Sequence, residues 1–484
     1  MRSIVLPFLL AAAWASGQTF QQQMQSIATA NGLIGMSVVA LCGDSVANVV
    51  HTGQSDVANN IPVSDSTRYR IASISKLVTA IGLMQLHEQD MFDLDDDVNT
   101  ALGFTFRNPA YPNTPITYRM LLSHTSSFQD GTGYADFLSA TYSTEPPPPL
   151  SELATTTGDW YSSNMWRTEE PGTWYTYSNA NFGVVGTLIE ALSGERFDVY
   201  MRQHVLLPMG IGGSYNVQDL TDLDDLAVLY RNSSPQADNH NGVMPPAPDL
   251  SQYVIGTNGL YFAPQGGLRV SALELARIAI MLEQGGEYDG AVILQPVTVA
   301  LMRNDEWTWN GSNGDNYYGL FRSWGLGTHR VSAQSGGDVV FPGALMFGHA
   351  GEAYGLISDL YTDPVTSTGV VFITNGYTSG NAYQASNSAF YSVEDEVFAA
   401  VHSFTGGCAT NTVEELSGTV PLVCAEGRLS WNGPGPAELF AYDALGRELA
   451  RFEAGPGTSI PVVAGALLYH YRAINMQGTL WGEP

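Results

Sequence analysis

The sequence predicts an α+β domain over residues 18–404, built on an antiparallel sheet completed from both ends of the domain, with an all-helical lobe inserted. A small all-β domain over 422–484 follows it. Three observations predict this. Alternating, β-branched segments stand near the start, at 35–50, and again after residue 340. The long stretch between them carries apolar residues at helical spacing. After Phe404 the composition shifts to short alternating runs separated by turn residues. Strands at both ends with helices between them suit one sheet closed from both ends, not a series of alternating βα units.

Each element has a local reason. Residues 35–50 alternate around Gly43-Asp44 and read as a hairpin. Residues 74–89 are apolar at helical spacing and lack proline, so they read as a mostly buried helix. Shorter helices are expected at 117–123, at 182–192 before Ser193-Gly194, and at 271–283 before Gly285-Gly286. Residues 340–348, 356–362 and 369–374 read as strands, and 394–404 as a closing helix. The run Pro146-Pro147-Pro148-Pro149 reads as a stiff surface loop, and 305–339 as a loop insertion. A linker is expected over 405–421, with short strands beyond it and a turn at Asp443-Ala444-Leu445-Gly446.

Composition narrows the function. The 484 residues carry a formal net charge of −28, with a pI near 4.4. Such a surface repels phosphate backbones and anionic lipid, which argues against nucleic-acid and membrane-surface partners. Residues 1–17 read as a signal peptide: one arginine, an apolar run over 4–13, then Ala15-Ser16-Gly17. That run is too short to span a bilayer, no later run is long enough, and no cysteine follows it to carry a lipid, so a secreted protein is expected. Of three cysteines, Cys408 and Cys424 are spaced to close a short loop, while Cys42 reads as a buried thiol. No Cys/His cluster has metal-ligand spacing, and neither metal nor cofactor is implied.

The basic residues carry the sharpest signal. Eighteen of the nineteen are arginine; the one lysine is Lys76. An amine can give up its proton when buried, whereas a guanidinium practically cannot. Lys76 belongs to Ser73-Ile74-Ser75-Lys76 at the start of the predicted helix. Residues three apart share a helix face, so the amine can meet the Ser73 hydroxyl, and the helix N-terminus favours a developing alkoxide. Tyr177-Ser178-Asn179 follows Pro171-Gly172 on a predicted loop. There a tyrosine can relay a proton and an asparagine can orient a carbonyl. His349-Ala350-Gly351 ends a strand-like run. Gly351 allows close backbone approach, and His349 suits a proton network or a substrate carboxylate. Taken singly, each motif has an ordinary structural reading.

Together, in this order and spacing, they resemble the penicillin-recognising serine hydrolases, the superfamily of class C β-lactamases, D-Ala-D-Ala carboxypeptidases and related esterases. The intervening sequence is similar too: Ile61-Pro62-Val63, Tyr69-Arg70-Ile71-Ala72 before the serine, Leu121-Leu122-Ser123-His124-Thr125-Ser126, and Gly266-Gly267-Leu268. The resemblance covers residues 20–404 and implies a β-lactamase/transpeptidase-like fold. It implies that Ser73 forms an acyl-enzyme, that Lys76 and Tyr177 share the base role, and that Asn179, His349 and Gly351 contact substrate. It also implies an oxyanion hole from the backbone N–H groups of Ser73 and Glu352. Glu352 stands where a small residue is usual. His349 replaces the lysine of β-lactamases, as in certain carboxypeptidases, D-aminopeptidases and esterases, which counts against an efficient β-lactamase. His124 reads as structural. Expected substrates are a small ester, a D-amino-acid peptide or a β-lactam, and the motifs do not separate them; that choice lies in loops 130–170 and 305–345. The other reading is a catalytically inert penicillin-binding-type scaffold at the cell surface, which the retained Ser73, Lys76 and Tyr177 disfavour.

Tyr442-Asp443-Ala444-Leu445-Gly446-Arg447 and Leu468-Tyr469-His470-Tyr471-Arg472 resemble a type IX secretion sorting domain. That resemblance implies contact with secretion machinery; the alternative is a generic accessory β-sandwich.

Overall fold

The computed structural model describes residues 18–236, 244–331, 337–378, 388–406, 422–425, 428–431, 437–442, 448–455, 458–461, 468–473 and 476–481. The chain enters through helix α1 (Phe20–Ala30), whose first turn is closed by a reciprocal capping box between Thr19 and Gln22. Strands β1 (Leu33–Cys42), β2 (Ser45–Asp56) and β3 (Ile61–Pro62) follow. Late in the domain come β4 (Trp307–Thr308), β5 (Ser323–Trp324), β6 (His329–Val331), β7 (Met346–Ala353), β8 (Leu356–Asp363) and β9 (Thr368–Tyr377). These nine lie in the order β4-β5-β6-β7-β8-β9-β1-β2-β3, and a short hairpin at Tyr230–Arg231 and Ser234–Pro235 pairs with β9. The centre of the sheet is the antiparallel pairing of β1 with β9, from Leu33 opposite Tyr377 to Cys42 opposite Thr368. The sheet is therefore closed from both ends of the domain, as expected.

Both faces of the sheet are covered. Along β1, Met36, Val38 and Ala40 face the cluster that holds α1 and the closing helix α5 (Ser392–Thr405). Val39 and Leu41 face the larger core, so the two-residue period of the strand serves two cores. That larger core holds α2 (Ile74–Glu88), α3 (Asn179–Ser193) and α4 (Ala272–Glu283). Helix α2 is apolar on all sides because it is enclosed on all sides: Leu77, Val78, Ile81, Leu83 and Met84 are essentially inaccessible. Each such side chain stabilises the fold by about 2 kcal/mol. Gly82 makes room for Met201: a Cβ there would lie 2.4 Å from its Sδ, so the thioether would have to shift.

Several details differ from expectation. The strand predicted at 340–348 is β7, which starts at Met346 and runs through His349 to Ala353, so His349 lies inside a strand. The 305–339 region contributes the short edge strands β4–β6. The helical lobe also carries two small two-stranded sheets, Arg68–Arg70 with Arg269–Ser271 and Glu287–Tyr288 with Ala291–Val292. Pro147 and Pro148 are buried, and the Pro148 carbonyl accepts from Asn258 Nδ2 at 2.7 Å. Cys42 is half-buried, because it sits at the last rung of β1. Residues 1–17 and Cys408 lie outside the described residues, and with them the signal-peptide and Cys408–Cys424 readings. Residues 422–481 supply seven strands, β10 (Leu422–Ala425), β11 (Arg428–Trp431), β12 (Ala437–Tyr442), β13 (Glu448–Ala454), β14 (Thr458–Pro461), β15 (Leu468–Ala473) and β16 (Met476–Trp481), arranged as β10-β11-β14 and β13-β12-β15-β16.

Candidate active site

Ser73 is the N-cap of α2, so its hydroxyl stands at the positive end of a fifteen-residue helix. The preceding residue, Ala72, adopts φ +48°, a left-handed conformation that disfavours any side chain. One turn along, Lys76 is 0% exposed. Its Nζ lies 3.0 Å from Ser73 Oγ, 2.8 Å from Asn179 Oδ1 and 2.8 Å from the carbonyl of Gln265. Two of these neighbours can only accept. The third, the serine hydroxyl, can also donate. A neutral amine with two N–H groups and one lone pair fits this arrangement when the lone pair faces Ser73. Burial lowers Lys76 from its ordinary 10.5 to about 7, and the Asp130 carboxylate holds it from falling further.

Asn179 opens α3. Asp130 accepts from the backbone N–H groups of Asn179 and Ala180, at 3.1 and 2.8 Å, and from Ser178 Oγ at 3.2 Å. It also accepts from Asn179 Nδ2 at 2.7 Å. That last bond fixes which way the amide points: with Nδ2 committed to Asp130, Oδ1 faces Lys76. Tyr177 hydrogen-bonds Ser73, and burial raises its phenol above the ordinary 10. Its ring stacks on Phe321 at 5.2 Å and lies 4.8 Å from Lys76 Nζ. His124 clamps this turn: its carbonyl accepts from Thr176 N at 2.9 Å and its Nδ1 from Ser178 N at 3.1 Å.

Strand β7 runs past Ser73. A Cβ on Gly351 would sit 3.1 Å from Ser73 N and 2.6 Å from the Ile71 carbonyl, so only glycine allows this approach. The Gly348 carbonyl accepts from Thr328 Oγ1 and therefore faces β6. Strand alternation turns the amides of Ala350 and Glu352 to the same edge. The β6 pairing ends at Gly348, so this edge of β7 stands unpaired toward Ser73. His349 shares the strand face of Gly351 and is fully buried, 6.0 Å from the Tyr177 ring and 5.3 Å from Trp324. Burial, reinforced by Lys76, holds His349 well below 6.5, and His124 is held down likewise.

In front of Ser73 opens a cleft of about 460 Å³, lined by Tyr177, Asn179, Ala350, Gly351 and Glu352, by Tyr317, Tyr318, Leu320 and Phe321, and by Phe390, Tyr391 and Glu394. Tyr317 and Tyr318 adopt φ +49° and +58°. Holding a bulky residue there costs about 1–3 kcal/mol. The Tyr317 ring is held by Tyr177 and Phe321, at 5.7 and 5.2 Å, while Tyr318 is 93% exposed. On the opposite wall Glu352 accepts from Tyr391 Oη at 2.5 Å. Glu394 is buried against Asp359, and burial raises both carboxyls.

The Beta-lactamase family model matches residues 17–389. The chain belongs to the Beta-lactamase family. It is 24% identical over 339 residues to Penicillin-binding protein 4 of Amycolatopsis lactamdurans, an alignment covering 66% of this chain and 80% of that one. Several other curated relatives are spanned over only 30% to 57% of their own length. Among solved structures, the octameric penicillin-binding protein homologue from Pyrococcus abyssi superimposes with a TM-score of 0.60 at 17% identity, covering 96% of this chain and 98% of that one. D-amino acid amidase from Ochrobactrum anthropi SV3, complexed with D-phenylalanine, gives 0.57 at 19%, covering 81% and 99%. The antiparallel sheet flanked by helices is thus the Beta-lactamase fold.

Within this Beta-lactamase-family chain, Ser73, Lys76, Tyr177 and Asn179 are in mutual contact, with Gly351 against them and Glu352 on the cleft wall. His349 lies behind Tyr177, off the cleft lining. Asp130 was not singled out from the sequence, because no local signal marks a carboxylate that caps a helix 49 residues later. Of the two loop regions expected to govern substrate choice, 305–345 supplies Tyr317, Tyr318, Leu320 and Phe321 to the cleft and 130–170 supplies none, while Phe390 and Tyr391 lead into the closing helix that holds Glu394. Among the described residues no group of three or more His, Cys, Asp or Glu side chains is placed to hold a metal ion.

Proposed function

We propose that this chain is a serine hydrolase that cleaves an ester or D-amino-acid amide bond through an acyl-enzyme on Ser73. The observation that carries the reading is the buried Lys76 amine, 3.0 Å from Ser73 Oγ, with its other two neighbours able only to accept. Lys76 takes the hydroxyl proton as Ser73 Oγ attacks the substrate carbonyl carbon. The N–H groups of Ser73 and Glu352 receive the developing oxyanion. Tyr177, a neutral phenol hydrogen-bonded to Ser73, passes a proton to the departing alcohol or amine as the scissile bond breaks and recovers one from the Lys76 ammonium, which leaves both groups neutral beside the acyl-enzyme. Water then attacks the acyl carbon and gives a proton to Lys76, which returns it to Ser73 Oγ as the acyl–oxygen bond breaks and the acid leaves. His349 acts from behind Tyr177 as a neutral packing partner. The likeness to a D-amino acid amidase, whose structure is complexed with D-phenylalanine, supports this reading. Export by the 1–17 segment and sorting by residues 422–484 complete the proposal.

The test is hydrolysis of p-nitrophenyl butyrate by the mature protein beside Ser73→Ala. The variant is expected to lose roughly 10³-fold or more in rate. A variant as active as the parent would remove Ser73 from the mechanism.

A further inference from the structure

The charge and shape of the cleft go further than the motifs. Its lining carries two carboxyl side chains, Glu352 and Glu394, and the aromatic faces of Tyr317, Tyr318, Phe390 and Tyr391. No lysine or arginine lines it among the described residues. The undescribed stretches 332–336 and 379–387, which adjoin its walls in sequence, contain neither residue type. The nearby arginines are engaged elsewhere. Arg70 donates to the Gly266 carbonyl at 2.9 Å and lies 5.2 Å over the Tyr354 ring. Arg322 packs against Gly337. Lys76 is enclosed behind Ser73 with its three hydrogen-bond partners.

We propose that this cleft selects substrates carrying a free ammonium group beside the scissile carbonyl, and rejects those that end in a free carboxylate. The inference rests on the hydrolase reading above and names its substrate class. An anionic group entering the cleft would be stripped of water among aromatic rings and carboxyls, with no cation to receive it. An ammonium meets the Glu352 carboxylate, which has capacity for donors beyond Tyr391 Oη. It also meets the aromatic side chains of Tyr317 and Tyr391 that line the cleft. His349, the one other basic group of the motifs, is buried and uncharged, so it supplies no anion-binding charge. The net charge of −28 draws cations toward the molecule from a distance. The third motif thus separates this chain from relatives that must hold a terminal carboxylate, because lysine there would have supplied the missing charge.

The experiment compares kcat/KM for phenylalanine p-nitroanilide with a free amine, its N-acetyl form and its N-succinyl form, in both D and L series, with p-nitrophenyl butyrate as a neutral control. In one enantiomeric series the free amine is expected to exceed the N-succinyl compound by about 100-fold, with the N-acetyl compound between them. Glu352→Gln is expected to reduce the free-amine to N-acetyl ratio about tenfold. In the unmodified protein, raising the salt concentration should reduce the same ratio. Equal rates for the three anilides, or a preference for N-succinyl, beside Ser73-dependent butyrate hydrolysis would overturn the ammonium inference alone. Absence of Ser73-dependent turnover of all substrates would overturn the hydrolase reading and this inference with it. A Glu352→Gln variant that keeps the full ratio, together with a salt-independent ratio, would also overturn it.

Discussion

The two banks of the cleft are built on different principles. On the helical bank, Ser73, Lys76, Asn179 and Asp130 form a continuous chain of hydrogen bonds. On the opposite bank, aromatic rings and carboxyls come from the 317–321 loop, the end of β7 and the start of α5, and two adjacent tyrosines sit in left-handed conformations. The first bank is fixed by spacing within helices and by one capping carboxylate. The second is assembled from distant parts of the chain and owes its shape to packing. In the proposed function, reaction type belongs to the first bank and substrate choice to the second, so substitutions on the two should fail differently.

The largest effect is expected for Lys76→Arg. A guanidinium cannot accept the serine proton at neutral pH, so kcat should fall about 10³-fold or more while the circular dichroism spectrum is kept. The same lysine sets a pH profile. Its folded value lies near 7, and the neutral amine is the active form, so kcat/KM in the parent should rise with pH through about 7. A flat profile between pH 6 and 8 would break the link between this amine and the reaction.

Asp130→Asn should cost less, about 10–100-fold in kcat, because it weakens the cap and lets the Asn179 amide turn. The diagnostic readout is the pH limb. Asp130 raises Lys76, so its neutralisation should move the limb to lower pH, and Asp130→Glu should move it back in part. A lower kcat with an unmoved limb would reduce Asp130 to a helix cap.

The smallest effect lies behind the second bank. Asp359 and Glu394 are raised in the folded protein, from ordinary values of 3.8 and 4.5, with Glu394 at about 8. The folded state therefore holds more protons than the unfolded chain from roughly pH 4 upward, and their contribution declines as pH rises toward 8. Asp359→Asn should flatten that decline, with a gain in Tm of about 2–4 °C at alkaline pH. An unchanged slope of Tm against pH would show that the pair is ionised in the folded state.

What the sequence made legible follows the same division. Ser73 and Lys76 sit three residues apart on one helix, and their contact is a matter of helical geometry. The strands 356–362 and 369–374 fall within β8 and β9 because their β-branched alternation is local. His349 was read at a strand end because the apolar run stops there; the strand continues to Ala353 because β8 pairs with it as far as Leu356. Asn179 was placed on a loop, yet it opens α3, since the capping partner that draws the helix back to it is Asp130, far away in sequence. The aromatic wall has no periodicity to announce it. The Beta-lactamase match, ending at residue 389, leaves the strands after 422 to be judged on their own sequence.

One lysine in 484 residues has a practical consequence. Protein grown with lysine labelled by nitrogen-15 at the ζ position would give a single side-chain resonance. The protonation of the proposed catalytic base could then be followed by one line, through titration, acylation and inhibitor binding, without assignment or mutagenesis. That single line would report from directly beside Ser73, the proposed nucleophile.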